Sequence, residues 1–123
     1  MLIENGVPRD HIIHMAYDDI AYNEANPFPG QLFNRPSGHL EGVNVYDPDH
    51  IDYRGDMVIK KNFRAVLLGN DAAADGHPVL KSTEQSSVLL YVVGHGGAGF
   101  FPFPANDSSD DWMFADELDK ILH

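Results

Sequence analysis

Four glycines surround one histidine in Gly94-His95-Gly96-Gly97-Ala98-Gly99, directly after the apolar run Val88-Leu89-Leu90-Tyr91-Val92-Val93. A buried strand that ends in glycines carries bare backbone N–H groups to the carboxyl edge of a sheet, where open α/β folds bind ligands. A histidine placed there presents its imidazole to a substrate, and the Gly96 N–H points into the same space. Together they supply a general base and an oxyanion donor, two of the groups that acyl transfer requires. The same residues also describe a tight turn with a solvated histidine, because short glycine patterns recur without function. Read literally, Gly94-x-Gly96-x-x-Gly99 meets the dinucleotide-binding fingerprint as well. That reading fails, since the fingerprint needs a helix opening at the glycines and Phe100-Phe101-Pro102-Phe103-Pro104 cannot supply one.

Other polar residues carry weaker signals. His11 and His14 resemble a metal pair, yet three residues apart on a strand they face opposite sides, so one ion does not easily take both. Asp18 and Asp19 follow an apolar stretch and could face a sheet edge, but paired acids in a loop more often form turns or stay solvated. Asp107, Asp110 and Asp111 lack the spacing and glycine of an EF-hand and suit helix capping. Asn106-Asp107-Ser108 is a glycosylation sequon, meaningful only in the secretory pathway. Phe100 to Phe103 reads as packing that would border a substrate cleft in an enzyme. His39 and His77 fall in loops.

The elements that must position these groups follow from pattern and punctuation. Leu2 to Asn5, then Gly6 and Pro8, read as the last turn of a helix and its stop. His11 to Tyr17 fits a strand closed by Asp18-Asp19. From Asn23 to Asp56, Pro27, Pro29, Gly30, Pro36, Gly38, Gly42, Pro48 and Gly55 predict a long surface loop, with a short extended piece at Val43 to Tyr46. Val58, Ile59, Phe63, Val66 and Leu67 fall at helical spacing with Lys60, Lys61 and Arg64 between them and Gly69 as a stop, which predicts an amphipathic helix. Asp71 to Gly76 is a surface loop. Ser86 to Val93 reads as a strand covered on both faces in a parallel sheet. Phe100 to Phe103 makes a short extended excursion, and Trp112, Ala115, Leu118, Ile121 and Leu122 predict a helix within Asp110 to Leu122.

Composition bounds the partners. The 123 residues are 43% hydrophobic and 11% aromatic, enough for one domain or a piece of one and too apolar for a disordered acidic tail. Eight basic residues against 19 acidic ones give a net charge of −11, which repels a phosphate backbone and an anionic membrane surface alike. No apolar run approaches the ~20 residues of a spanning helix, so no membrane insertion is expected from this segment. The sequence contains no cysteine, which removes disulfides, thiolate metal sites and a thiol nucleophile from this polypeptide. The first residues lack the basic and apolar regions of a signal peptide.

Tyr17-Asp18-Asp19-Ile20-Ala21-Tyr22, Asn26-Pro27-Phe28-Pro29-Gly30, Asn34-Arg35-Pro36, Asp52-Tyr53, Asn62-Phe63-Arg64-Ala65-Val66-Leu67 and Val79-Leu80-Lys81-Ser82, followed by the run that ends in His95-Gly96, are colinear stretches that cover most of the chain. Together they resemble the legumain (asparaginyl endopeptidase) family of cysteine peptidases. The catalytic subunit of the GPI-anchor transamidase, a sister family, is also similar. Gly94-His95-Gly96-Gly97 with Gly99-Phe100, and Asp52-Tyr53-Arg54, lean toward it, since legumains usually carry Asp where this chain has Gly94. The proline-rich stretch and Val79 to Ser82 lean back toward legumain.

The resemblance implies an α/β fold, a caspase-like three-layer sandwich with a mostly parallel sheet, of which residues 1–123 would be an incomplete peptidase domain. The first strand and helix, and the strand carrying the nucleophilic cysteine, are expected outside these residues. His95 would match the catalytic histidine and Gly96 the residue whose N–H helps form the oxyanion hole, in cleavage after asparagine through a thioester. The chain alone is then expected to be inactive. Peptide or protein substrates are implied, with no cofactor and no metal, in a lysosome or vacuole, or in the endoplasmic reticulum for a transamidase. A non-catalytic binding relic is the remaining alternative. Since the family's first strand would lie between His11–Tyr17 and Val88–Val93, this chain by itself is expected to be molten, aggregation-prone or strand-swapped between copies.

Overall fold

The computed structural model describes residues 2–34, 42–105 and 108–123. Arg35, Pro36 and His39, and the Asn106-Asp107 part of the sequon, lie outside the described residues.

The amphipathic pattern around Phe63 forms helix α1, Lys60–Leu67, whose Phe63, Ala65 and Val66 are buried. Its C-terminus stops as the sequence requires: Gly69 takes a φ of 62°, a left-handed conformation that costs glycine little. An added Cβ there would stand 2.8 Å from the Leu80 carbonyl oxygen, so the close approach of Leu80 also needs glycine. At the other end, the Lys60 N–H donates to Asp111 Oδ1 at 2.9 Å. A carboxylate from 51 residues away thus caps the helix and lies where the positive end of its dipole favours an anion.

Strand β1, Met15–Ala16, pairs in parallel with β2, Tyr53–Arg54, in the register Met15↔Tyr53 and Ala16↔Arg54. Strand β3, Phe100–Pro102, pairs antiparallel with β4, Trp112–Phe114, in the register Phe100↔Phe114, Phe101↔Met113 and Pro102↔Trp112. Helix α2, Ala115–Leu122, follows β4 directly. Short 3₁₀ turns at Ile3–Asn5, Arg9–His11, Pro48–His50, Gly55–Met57 and Ser109–Asp111 complete the described regular structure. The result is a small mixed helix and strand arrangement.

The core gathers Val58, Phe63, Phe103 and Met113, with Met15, Leu67, Phe101, Leu118 and Ile121 packed against them. Every described strand but β2 and both helices contribute to it. A second cluster joins Ala65 on the far side of α1 to Ala74 and Val79. Glu117 of α2 pins the two helices together, accepting from Arg64 at 2.7 Å and pairing with Lys60 at 3.5 Å. The accessible surface is nevertheless 9358 Å², against roughly 6,600 Å² for a folded monomer of this mass.

Four sequence expectations require correction. The strand expected over His11 to Tyr17 shrinks to Met15–Ala16, because Arg9–His11 forms a 3₁₀ turn and, among the described residues, only Tyr53–Arg54 offers a ladder partner. The long loop, in turn, contains β2. The helix expected from Asp110 begins only at Ala115. Trp112 to Phe114 is a strand instead, because its bulky side chains match those of β3, with the Phe100 and Trp112 rings stacked at 4.5 Å and 8°. Ser86 to Val93, expected as a buried strand, joins no sheet among the described residues, and Val88 to Val93 are exposed. Elsewhere expectation and structure agree: Gly6 ends the first turn at a φ of 91°, and the Val43–Tyr46 piece forms a bridge from Asn44 to Phe33.

Candidate active-site loop

The Gly94–Gly99 loop joins the unpaired 88–93 segment to β3. It closes as a tight hairpin, in which the Gly97 N–H donates to the Phe100 carbonyl at 3.0 Å and the Phe100 N–H returns to Gly97 at 3.4 Å. Two residues, Ala98 and Gly99, make the turn, and Gly99 supplies a φ of 83°. The Gly99 carbonyl in turn accepts the Ala115 N–H at 2.8 Å, which ties the loop to the start of α2. No helix opens at the glycines, so the dinucleotide reading is excluded by the structure as well as by the prolines.

Gly97 is required for a second reason. A Cβ at that position would lie 2.6 Å and 2.8 Å from two atoms of the Phe100 ring, closer than carbon atoms approach without displacement. The ring is held over Gly97 by its stack on Trp112 and by Phe114, 6.1 Å away between centroids. The aromatic residues after the glycines thus brace the loop, which is the packing role expected of Phe100 to Phe103.

His95 and Gly96 lie side by side in this loop and both are exposed. Among the described residues, no hydrogen bond or ion pair engages the His95 ring or the Gly96 N–H. The loop therefore offers a base and a backbone donor to solvent. Among the described residues, none brings a nucleophile to them and no third group orients the imidazole.

Several of the other described histidines and carboxylates hold local structure. His14 Nδ1 lies 3.2 Å from the His50 carbonyl oxygen and His11 has an exposed side chain, with no metal-holding cluster among the described residues. Asp18 takes a left-handed φ of 65°. Its Oδ2 accepts from the Tyr46 hydroxyl at 3.1 Å and pairs with Arg54 Nε at 3.0 Å. Desolvation first, and then the Asp18 carboxylate, push the Tyr46 phenol above its ordinary pKa. Asp52 was legible only as part of a motif, yet it forms a node: Oδ1 accepts from Arg9 at 2.7 Å and Oδ2 from the His14 N–H at 2.8 Å. His77 is no free loop residue, since its Nδ1 lies 2.9 Å from the Asp52 carbonyl oxygen and its ring 5.0 Å from that of Tyr53.

A sequence model of the peptidase C13 family matches residues 1–123. The chain belongs to the peptidase C13 family. It is 40% identical to human legumain over 122 residues, which cover 97% of this chain and 26% of that protein. It is 44% identical to a hemoglobinase of Schistosoma mansoni over 122 residues, 99% of this chain and 26% of the relative. A putative GPI-anchor transamidase of Drosophila melanogaster is 37% identical over 118 residues, 94% of this chain and 32% of its own length. The chain therefore spans about a quarter to a third of these curated relatives.

Several stretches that carry the C13 resemblance serve loop architecture. Asn26, which opens Asn26-Pro27-Phe28-Pro29-Gly30, donates through Nδ2 to the Ala21 and Gln31 carbonyls at 2.8 and 3.0 Å. Its Oδ1 accepts the Phe28 N–H at 3.0 Å, and the Gly30 N–H reaches Ala21 at 2.8 Å. One amide side chain thereby supplies the hydrogen bonds that a proline-rich stretch cannot make for itself. In Asp52-Tyr53, Tyr53 is fully buried and its hydroxyl donates to the Pro78 carbonyl at 2.9 Å.

Proposed function

We propose that this chain is the histidine-bearing part of a legumain-like cysteine endopeptidase of caspase-like fold, cleaving peptide bonds after asparagine. The observation that carries the reading is the C13 match across residues 1–123, together with the exposed placement of His95 and Gly96. In this reading a cysteine thiol outside these residues gives its proton to His95, and its sulfur attacks the carbonyl carbon. The Gly96 N–H donates to the developing oxyanion. Collapse expels the amine, which takes the proton from His95, and water then hydrolyses the thioester. An acidic lysosomal or vacuolar compartment fits such a peptidase.

The test compares two proteins. The 123-residue chain should not hydrolyse an asparaginyl peptide, because it contains no cysteine. A protein extended by its neighbouring coding sequence should hydrolyse it and lose the activity to a thiol-blocking reagent. In that protein His95→Ala should lower the rate by roughly 10²- to 10⁴-fold, while His11→Ala, at an exposed side chain, should leave it unchanged. His77 is a poor control because its imidazole holds the Asp52 carbonyl. Turnover by the 123-residue chain that survives His95→Ala refutes the assignment. The transamidase reading draws on Gly94 beside His95 and on Asp52-Tyr53-Arg54; for it, an added amine acceptor would divert the acyl product from acid to amide.

A further inference from the structure

The loop that carries His95 and Gly96 holds four glycines in the six residues 94–99. Glycine loses more conformational freedom on folding than any other residue, so this backbone does not hold an imidazole and an N–H in one geometry by its own preference. The restraint must come from outside the loop. Gly96 is seated on β3: a Cβ there would stand 3.2 Å from the Phe100 carbonyl oxygen and 3.7 Å from the Phe101 Cβ. The next residue, Gly97, lies under the Phe100 ring. Of the two backbone bonds that close the turn, one is long at 3.4 Å, which leaves much of the closure to that ring.

The register of β3 and β4 decides what holds the ring. Phe101 and Met113 oppose each other on the face that enters the core. Phe100, Trp112 and Phe114 fall on the other face, by the alternation of side chains along a strand, and belong to neither buried cluster. Phe100 and Trp112 are diagonal neighbours there, and their rings stack at 4.5 Å and 8°. Trp112 is itself fixed on both sides. Asp111 before it caps α1 through the Lys60 N–H at 2.9 Å, and Met113 after it is fully buried. A path thus runs from the body of the fold through Trp112 and the Phe100 ring to Gly97, which is covalently joined to Gly96.

We propose that Trp112 is a positioning residue for catalysis: its stack on Phe100 holds Gly97, and thereby aims the Gly96 N–H and sets His95 beside it. The inference rests on the roles proposed above for His95 and Gly96. Trp112 acts through Phe100 and not on substrate. It removes freedom from the glycine loop before substrate arrives, so that the donor meets the developing oxyanion without rearrangement.

The test uses the protein extended by its neighbouring coding sequence, with turnover of an asparaginyl peptide expressed per active thiol, counted by titration with an asparaginyl peptide that alkylates the thiol. Trp112→Leu keeps apolar bulk without a ring to stack. It should lower kcat per titrated thiol by roughly 10- to 100-fold and leave KM nearly unchanged, the pattern of an interaction made in the transition state. Trp112→Phe keeps a stacking ring and should restore most of the rate. Phe100→Leu removes the same stack from its other side, so the double variant should be no slower than the slower single one. Asp52→Ala, at the amino ends of β1 and β2, is the control for stability alone: it should reduce the yield of active thiol and not the turnover of each. A wild-type protein that is inactive, or active without His95, refutes the catalytic reading on which the inference rests. With a His95-dependent wild type, three results overturn the role of Trp112 itself. They are a normal kcat per thiol in Trp112→Leu, a Trp112→Phe variant no faster than Trp112→Leu, and loss of all titratable thiol in both Trp112→Leu and Phe100→Leu, since the stack would then hold the domain and not the loop.

Discussion

Asp52 should be a sensitive position for the stability of the N-terminal half, and the structure sets the size of the effect. Its carboxylate takes the Arg9 guanidinium at 2.7 Å on one oxygen and the His14 N–H at 2.8 Å on the other. Its own N–H donates to the His14 carbonyl at 2.9 Å, and the Tyr53 N–H shares that acceptor at 3.1 Å. The side chains are 13% exposed for Asp52 and 33% for Arg9, so the pair is neither a solvated surface bridge nor a dry one. Exposed ion pairs contribute about 0.2–1 kcal/mol, and hydrogen bonds to charged groups about 1.5–3 kcal/mol. Asp52→Ala removes both acceptors and leaves Arg9 half buried beside a gap, so a loss of about 2 kcal/mol is expected. Asp52→Asn keeps one acceptor oxygen and the shape but not the charge, and should cost about 1 kcal/mol. The assay is amide exchange at Met15, Ala16, Tyr53 and Arg54, supported by thermal unfolding. The order should be wild type, Asn, Ala, and most of the difference should persist in 1 M salt, because a partly buried pair is poorly screened. A difference that disappears in high salt, or protection of β1 and β2 that is unchanged in Asp52→Ala, would refute the claim that this carboxylate ties the two strands together.

Two further outcomes follow from the packing. Gly97→Ala should push the Phe100 ring off Trp112, because the new Cβ would stand 2.6 Å from the ring; the cost should be about 1–3 kcal/mol. Since Trp112 is the chain's one tryptophan, its near-ultraviolet circular dichroism reports the event, and an unchanged signal would mean that the stack does not depend on this glycine. The second outcome concerns high pH. Burial first, with the Asp52 charge, raises the Tyr53 pKa, and desolvation with the Asp18 contact raises that of Tyr46. A raised folded-state pKa contributes stability that is present below the ordinary tyrosine value of about 10 and is lost as pH rises through the higher folded value. Phenolate absorbance should therefore show two of the five tyrosines titrating late, with unfolding promoted in the same window. Tyr53→Phe should abolish one late step, and a single uniform transition would contradict the assignment.

What could be read from the sequence was local, and what escaped it was pairing. Helix α1 was legible because Phe63 and Val66 recur at helical spacing and Gly69 can adopt the left-handed stop; its cap was not, because Asp111 arrives from a distant turn. The His95 loop was legible because glycine chemistry is local: Gly97 and Gly99 have φ or contact requirements that only their own type meets easily. β2 was hidden in the proline-rich loop, since two residues are too few to show a period and Tyr53–Arg54 is a strand only by virtue of Met15–Ala16 beside it. Trp112 to Phe114 satisfied a helical spacing with Ala115 and Leu118, and the antiparallel match to Phe100–Pro102 overrode it. For the helix cap and for β2 the deciding partner lay far along the chain.

The same argument bears on Val88 to Val93, where the sequence and the structure disagree most. Six apolar, β-prone residues specify burial on both faces and pairing on both edges, but they do not specify with what. Among the described residues nothing meets that demand, and the segment is left exposed with its period-two pattern intact. His95 and Gly96 follow this segment with only Gly94 between, so the geometry of the candidate base and donor depends on whatever fixes residues 88–93. The hairpin at Gly97–Phe100 and the Phe100–Trp112 stack anchor the loop from its far end only. A base that must be held within hydrogen-bonding reach of a proton needs both ends fixed. Pairing of residues 88–93 and competence of His95 should accordingly be gained together, and conditions that protect the Val93 amide should be the ones in which the His95 ring takes a single orientation.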